Sequence, residues 1–123
     1  MSIYIGVDIG GTNLRIALLR GLRPQRVEAF VMPTPKSRSA LAALLKRRIA
    51  ELAAAEGRPA GIGVAVAGVI SDAGRVVVTK NLPFLNEGDF LFLERRFRVP
   101  VLVENDARCF LTAEAAWGRA RGK

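Results

Sequence analysis

The sequence predicts an α/β domain on a mixed sheet: three antiparallel strands first, then parallel strands reached by helical crossovers, with helices packed on the sheet. Three observations carry this prediction. Apolar runs at residues 3–7 and 13–19 flank a Gly10-Gly11 turn, the pattern of a hairpin. Residues 39–56 then place Leu41, Leu45, Ile49 and Leu52 at helical spacing, with Leu44 widening the stripe. Beyond the helix, residues 61–69 form an unbroken run of small apolar side chains, as in a central strand covered on both faces.

The elements follow in order. The apolar run at residues 3–7 ends in Asp8 and reads as a buried strand. After Ile9-Gly10-Gly11-Thr12, the second strand sets Leu14, Ile16 and Leu18 on one face. Gly21 and Pro24 mark a turn, and residues 26–32 form a third strand that ends at Pro33-Thr34-Pro35. Ser37 or Ser39 can cap the helix at 39–56, Arg47 and Glu51 form an i,i+4 pair on it, and Gly57 and Pro59 stop it. The Asp72-Ala73-Gly74 turn leads into a short strand at 75–79. A short helix is expected at 87–97, a strand at 99–103 and a second long helix at 106–117. The polar, glycine-flanked tail 118–123 reads as linker.

Composition narrows the function classes. The chain has 123 residues, half of them hydrophobic and 24% charged, which suits one globular domain. No apolar stretch approaches the length of a membrane span, and the start lacks the basic and small-residue pattern of a secretory leader, so a cytoplasmic location is expected. Cys109 is the only cysteine and histidine is absent. An intrachain disulfide, a Cys/His zinc site within this chain and acid–base work by histidine are therefore excluded, and any such proton transfer falls to a carboxylate. The formal charge is +8, but the 19 Lys and Arg are scattered; the cluster at Lys46-Arg47-Arg48 has no interleaved aromatic and Arg95-Arg96-Arg98 has only Phe97. That distribution argues for solvated faces and against a nucleic-acid interface.

Three groups of residues could do chemistry. In Asp8-Ile9-Gly10-Gly11-Thr12-Asn13, consecutive glycines allow a sharp turn whose N–H groups can cradle an anion. Thr12 adds a hydroxyl, Asn13 an amide, and Asp8 a carboxylate able to attract hydrated Mg²⁺. There is no Gly-Lys-Ser/Thr and a strand follows, so this is not a Walker loop; an ordinary hairpin turn with Asp8 as an Asx-type residue also fits. In Glu104-Asn105-Asp106-Ala107, polar residues stand where a strand hands over to a helix, the usual ligand position in open α/β sheets. A carboxylate there can take a proton from a substrate hydroxyl, although Asn105 or Asp106 would serve equally as the helix cap. Finally, Asn81 in Asn81-Leu82-Pro83 offers a donor and an acceptor to a diol, and Gly68 allows close approach of a ring; each is also an ordinary loop residue. Cys109 reads as a small packed residue, and Trp117 as core.

In this order, Asp8-Ile-Gly-Gly-Thr12, the apolar strand ending in Gly68, Asn81-Leu-Pro83, Val99-Pro-Val-Leu-Val-Glu-Asn-Asp-Ala107, and the helix with Glu114 and Gly118 resemble the ROK family of glucokinase-like sugar kinases and sugar-responsive repressors. The resemblance implies an actin-like, ribonuclease-H-type fold. It implies Asp106 as the base on a sugar hydroxyl, and Gly68, Asn81, Asn105 and Asp106 as sugar contacts. Asp8, Gly10, Gly11, Thr12 and Asn13 would face the phosphates of ATP, with Asp8 holding Mg²⁺ through water. The implied substrate is a hexose, glucose first. Asn13 stands where the motif often carries Lys. Residues 1–118 would form the front lobe and 119–123 the start of a linker, with the adenosine pocket, further sugar contacts and any zinc site on a second lobe or chain. Alone, such a lobe is expected to be inactive and to self-associate through the surface the second lobe would cover. Met1 lies directly before the first strand, so no helix-turn-helix is expected ahead of it, which argues against the repressor branch. Two other functions stay open: a sugar-binding regulatory module without catalysis, and a nucleic-acid binder resting only on the charge.

Overall fold

The computed structural model describes residues 2–20, 25–66, 69–71, 76–78, 82–85 and 88–104. Strands β1 (Ile3–Ile9), β2 (Asn13–Arg20) and β3 (Gln25–Pro33) form an antiparallel meander. Helix α1 (Arg38–Glu56) crosses over to β4 (Gly61–Val66), which pairs parallel with β1. A small antiparallel pair, β5 (Val69–Ile70) and β6 (Val76–Val78), and a single 3-10 turn at Pro83–Leu85 follow. Helix α2 (Leu91–Phe97) then leads to β7 (Val101–Glu104), parallel to β4. The five-stranded sheet has the order β3-β2-β1-β4-β7, the mixed sheet expected from the sequence.

The core lies between this sheet and the helices. Ile3, Ile5, Val7 and Ile9 of β1 alternate into it, as do Leu14, Ile16 and Leu18 of β2 and Ile62, Val64 and Val66 of β4. Leu41, Leu45, Ile49 and Leu52 of α1 close over them, each worth about 1.5–3 kcal/mol of burial. All six residues of β4 are buried between neighbouring strands, as the apolar run predicts. No helix among the described residues is long and apolar enough to cross a membrane.

The ends of the elements show what local pattern leaves open. Ser37, not Ser39, caps α1: its hydroxyl accepts from Ala40 N–H at 3.2 Å. Gly57 ends the helix at φ 102°, a conformation costly to any residue with a Cβ. Glu51 pairs with Arg48 at i+3 spacing and not with Arg47. The apolar run at 61–69 contributes to two sheets: β4 spans Gly61–Val66, and Val69 pairs with Val78 in the small sheet. The helix expected at 87–97 begins only at Leu91, where Asp89 accepts from Leu91 N–H at 3.1 Å and Phe90 turns into the core. The last strand starts two residues later than expected, since Val99 packs in the core and Pro100 offers only its carbonyl, to Ile62 N–H at 2.9 Å. An ion pair between Arg20 and Glu56 ties the end of β2 to the end of α1.

Candidate functional site

The carboxyl ends of β1, β4 and β7 lie side by side, because all three strands run parallel. Register places Asp8 opposite Ala65 and Ala65 opposite Glu104, with Arg15 of β2 on the other flank of Asp8. The neighbours of these residues, Leu14, Ile16, Val7, Ile9, Val64, Val66 and Val103, all point into the core beneath α1. By strand alternation, Arg15, Asp8, Ala65 and Glu104 therefore form one row on the opposite face. Two strand spacings separate the Asp8 and Glu104 backbones by about 10 Å. Both carboxylates are half-buried, and neither makes a hydrogen bond or ion pair among the described residues. Asp8 thus keeps its oxygen lone pairs without a protein partner among the described residues, a chemistry that would suit a hydrated divalent cation such as Mg²⁺.

The turn between β1 and β2 adjoins this row. It is closed by Gly10 N–H donating to Asn13 O at 3.0 Å. A Cβ on Gly10 would sit 2.8 Å from that same oxygen, so glycine is required here by close approach of backbone. The N–H groups of Gly11 and Thr12 make no hydrogen bond among the described residues. Thr12 and Asn13 are exposed and Gly11 is half-buried. Adjacent unpaired N–H groups of this kind form an anion cradle. The turn thus presents backbone donors beside a carboxylate.

The structure adds two residues that the sequence reading missed. Thr34 is buried, at 4% exposure, and holds both limbs of the turn. Its hydroxyl donates to Gly10 O at 2.7 Å, and its N–H donates to Thr12 O at 2.9 Å. Lys36 reaches over from the same loop and donates from Nζ to Gly11 O at 2.6 Å. The signal available in the sequence was a lone threonine between two prolines, Pro33 and Pro35, where the chain stiffens just after a strand. Of the other expected site residues, Gly68, Asn81, Asn105 and Asp106 lie outside the described residues, as do Cys109, Glu114, Trp117 and the helix expected at 106–117.

Comparison with known proteins places the chain in a family. The family model described as ROK family matches residues 4–123. The N-acetylgalactosamine kinase AgaK of Shewanella sp. (strain ANA-3) is 31% identical over 122 residues, covering 98% of this chain and 39% of that protein. The ROK family glucokinase from Streptomyces griseus, solved in complex with glucose and AMPPNP, superimposes with a TM-score of 0.76 at 26% identity, over 98% of this chain and 36% of that one. The inorganic polyphosphate/ATP-glucomannokinase from Arthrobacter sp. strain KM gives a TM-score of 0.70 at 30% identity, over 87% of this chain and 45% of that one. The chain therefore spans about two fifths of the length of the proteins it matches. The likenesses show the actin-like, ribonuclease-H-type fold that the sequence leads one to expect.

Proposed function

The chain belongs to the ROK family, and on that premise we propose that it supplies the first phosphate site and the catalytic base of an ATP-dependent hexose kinase. The observation that carries this reading is the turn at residues 10–13, with the Gly11 and Thr12 N–H groups unpaired beside the free carboxylate of Asp8. ATP supplies the transferable phosphoryl group. Phosphoryl transfer asks a protein chiefly for positioning and charge stabilisation. Here the N–H groups of Gly11 and Thr12 would orient phosphate oxygens, and Asp8 would hold Mg²⁺ through water. Thr12 and Asn13 add side-chain donors at the exposed rim of the turn.

Asp106 is assigned the proton of the attacking sugar hydroxyl, with Asn105, Asn81 and Gly68 orienting the ring. Glu104, two residues before Asp106, ends a parallel strand in the same row as Asp8, which supports a base and a phosphate site at one sheet end. The substrate is proposed to be a hexose, glucose first; the relatives named as an N-acetylgalactosamine kinase and a glucomannokinase set the other members of the panel. Activity is proposed for this chain acting with a second lobe that completes the nucleotide and sugar pockets. The test is hexose-dependent ADP release from that assembly, comparing wild type with Asp106→Asn. Loss of a general base lowers kcat by about 10²–10⁴-fold. A variant that turns over as fast as wild type removes Asp106 from that role.

A further inference from the structure

We infer that Lys36 is a ligand of the bound polyphosphate chain, contributing the positive charge of a turn that otherwise offers only neutral donors. This rests on the phosphate reading proposed above. Lys36 Nζ already lies at the turn, 2.6 Å from Gly11 O. An ammonium has three donors, and the Gly11 carbonyl takes one. No carboxylate pairs with Lys36 among the described residues, and its side chain is exposed. A charged donor resting on a neutral carbonyl keeps two donors for a better acceptor, and anionic phosphate oxygens are better acceptors than a peptide carbonyl.

The placement of Lys36 is built in. Thr34, two residues earlier, is fastened to both limbs of the turn through Gly10 O and Thr12 O. Pro35 fixes φ between them, and Ser37 begins the cap of α1. Lys36 is thus carried on a short stretch anchored at both ends, so it keeps its station beside the N–H groups of Gly11 and Thr12. Asn13, at the start of β2, can offer an uncharged amide only. A polyphosphate chain laid on the turn would meet backbone donors from below and the Lys36 ammonium at its edge. The chain could belong to a nucleoside triphosphate or to inorganic polyphosphate, because the contacts described involve only phosphate oxygens.

The experiment is calorimetric titration of this chain assembled with its second lobe, using MgATP and, separately, magnesium tripolyphosphate, at low and high salt. Wild type is compared with Lys36→Met, Lys36→Gln and Lys36→Arg. Removing one charge-assisted contact is expected to weaken binding by about tenfold or more in the Met and Gln variants and to flatten the salt dependence. Arg should retain affinity within about threefold. The ligand whose affinity falls identifies the source of the phosphate chain. Gln can still donate to Gly11 O, so a Gln variant that binds like wild type would show that Lys36 only braces the turn, and would overturn the inference. Equal affinities across all variants would overturn it too, while leaving the kinase reading intact. If wild type binds neither ligand, the phosphate reading of the turn fails, and this inference fails with it. Because Lys36 is exposed, thermal unfolding of all four proteins should coincide, which separates lost binding from lost fold.

Discussion

Replacing Gly10 by alanine sets two effects of opposite sign against each other. The added Cβ would lie 2.8 Å from Asn13 O, about 0.6 Å inside ordinary van der Waals contact. That oxygen is also the acceptor of the Gly10 N–H bond, now 3.0 Å long. Moving it out of the way stretches the bond to about 3.6 Å, beyond useful hydrogen-bonding range. Overpacking of this kind costs about 1–3 kcal/mol, and the lost bond about 1 kcal/mol more. Against this, alanine restricts the unfolded chain and contributes about 0.4–1 kcal/mol of stability. The balance is a destabilisation of about 2 kcal/mol. In urea, with a slope of about 2 kcal/mol/M, the unfolding midpoint should fall by about 1 M at unchanged slope. A Gly10→Ala protein as stable as wild type, or more so, would mean that the unfolded-state gain is the whole effect and that the turn is not tight.

The clamp and the cap give two further expectations. Thr34→Val keeps the shape of a buried side chain but leaves Gly10 O without its 2.7 Å donor, a loss of about 1–2 kcal/mol; Thr34→Ser keeps the donor and gives up one methyl group, worth less than about 1 kcal/mol. Chemical denaturation should therefore rank Val below Ser, and the reverse order would show that packing, not the hydrogen bond, holds the turn. Ser37→Ala removes the acceptor for Ala40 N–H and should cost about 1 kcal/mol, whereas Ser39→Ala, inside α1 and exposed, should change stability by less than about 0.5 kcal/mol. Equal losses at both positions in the same melts would remove Ser37 as the cap.

Much of the fold and part of the site can be read from the chain alone, wherever the governing interaction is local. The Gly10-Gly11 pair between two apolar runs specifies the β1–β2 hairpin, since the turn and the alternation lie within a few residues of each other. The stripe Leu41, Leu45, Ile49 and Leu52 specifies α1 because helical periodicity is intrinsic to the backbone. Asp8 and the turn residues are legible for the same reason. Choices between near-equal local options are not. Arg47 and Arg48 can both reach Glu51, and side-chain direction on the folded helix selects Arg48. The run at 61–69 has no polar residue inside it, yet Val66 belongs to the five-stranded sheet and Val69 pairs with Val78 in the small one.

The strongest separation is at the glycine turn itself. Sequence determined that a sharp glycine turn follows Asp8, that the large apolar residues of β1 and β2 share a face, and that α1 covers it. Tertiary structure decided that Thr34, 24 residues beyond Gly10, locks the turn and that Lys36, 25 residues beyond Gly11, reaches its carbonyl. It also set Asp8 and Glu104 in one row, a relation that passes through Ala65 of an intervening strand. The physical reason is that a turn's backbone carbonyls and a sheet's register select partners by position in space, and that position exists only once β1 lies between β2 and β4.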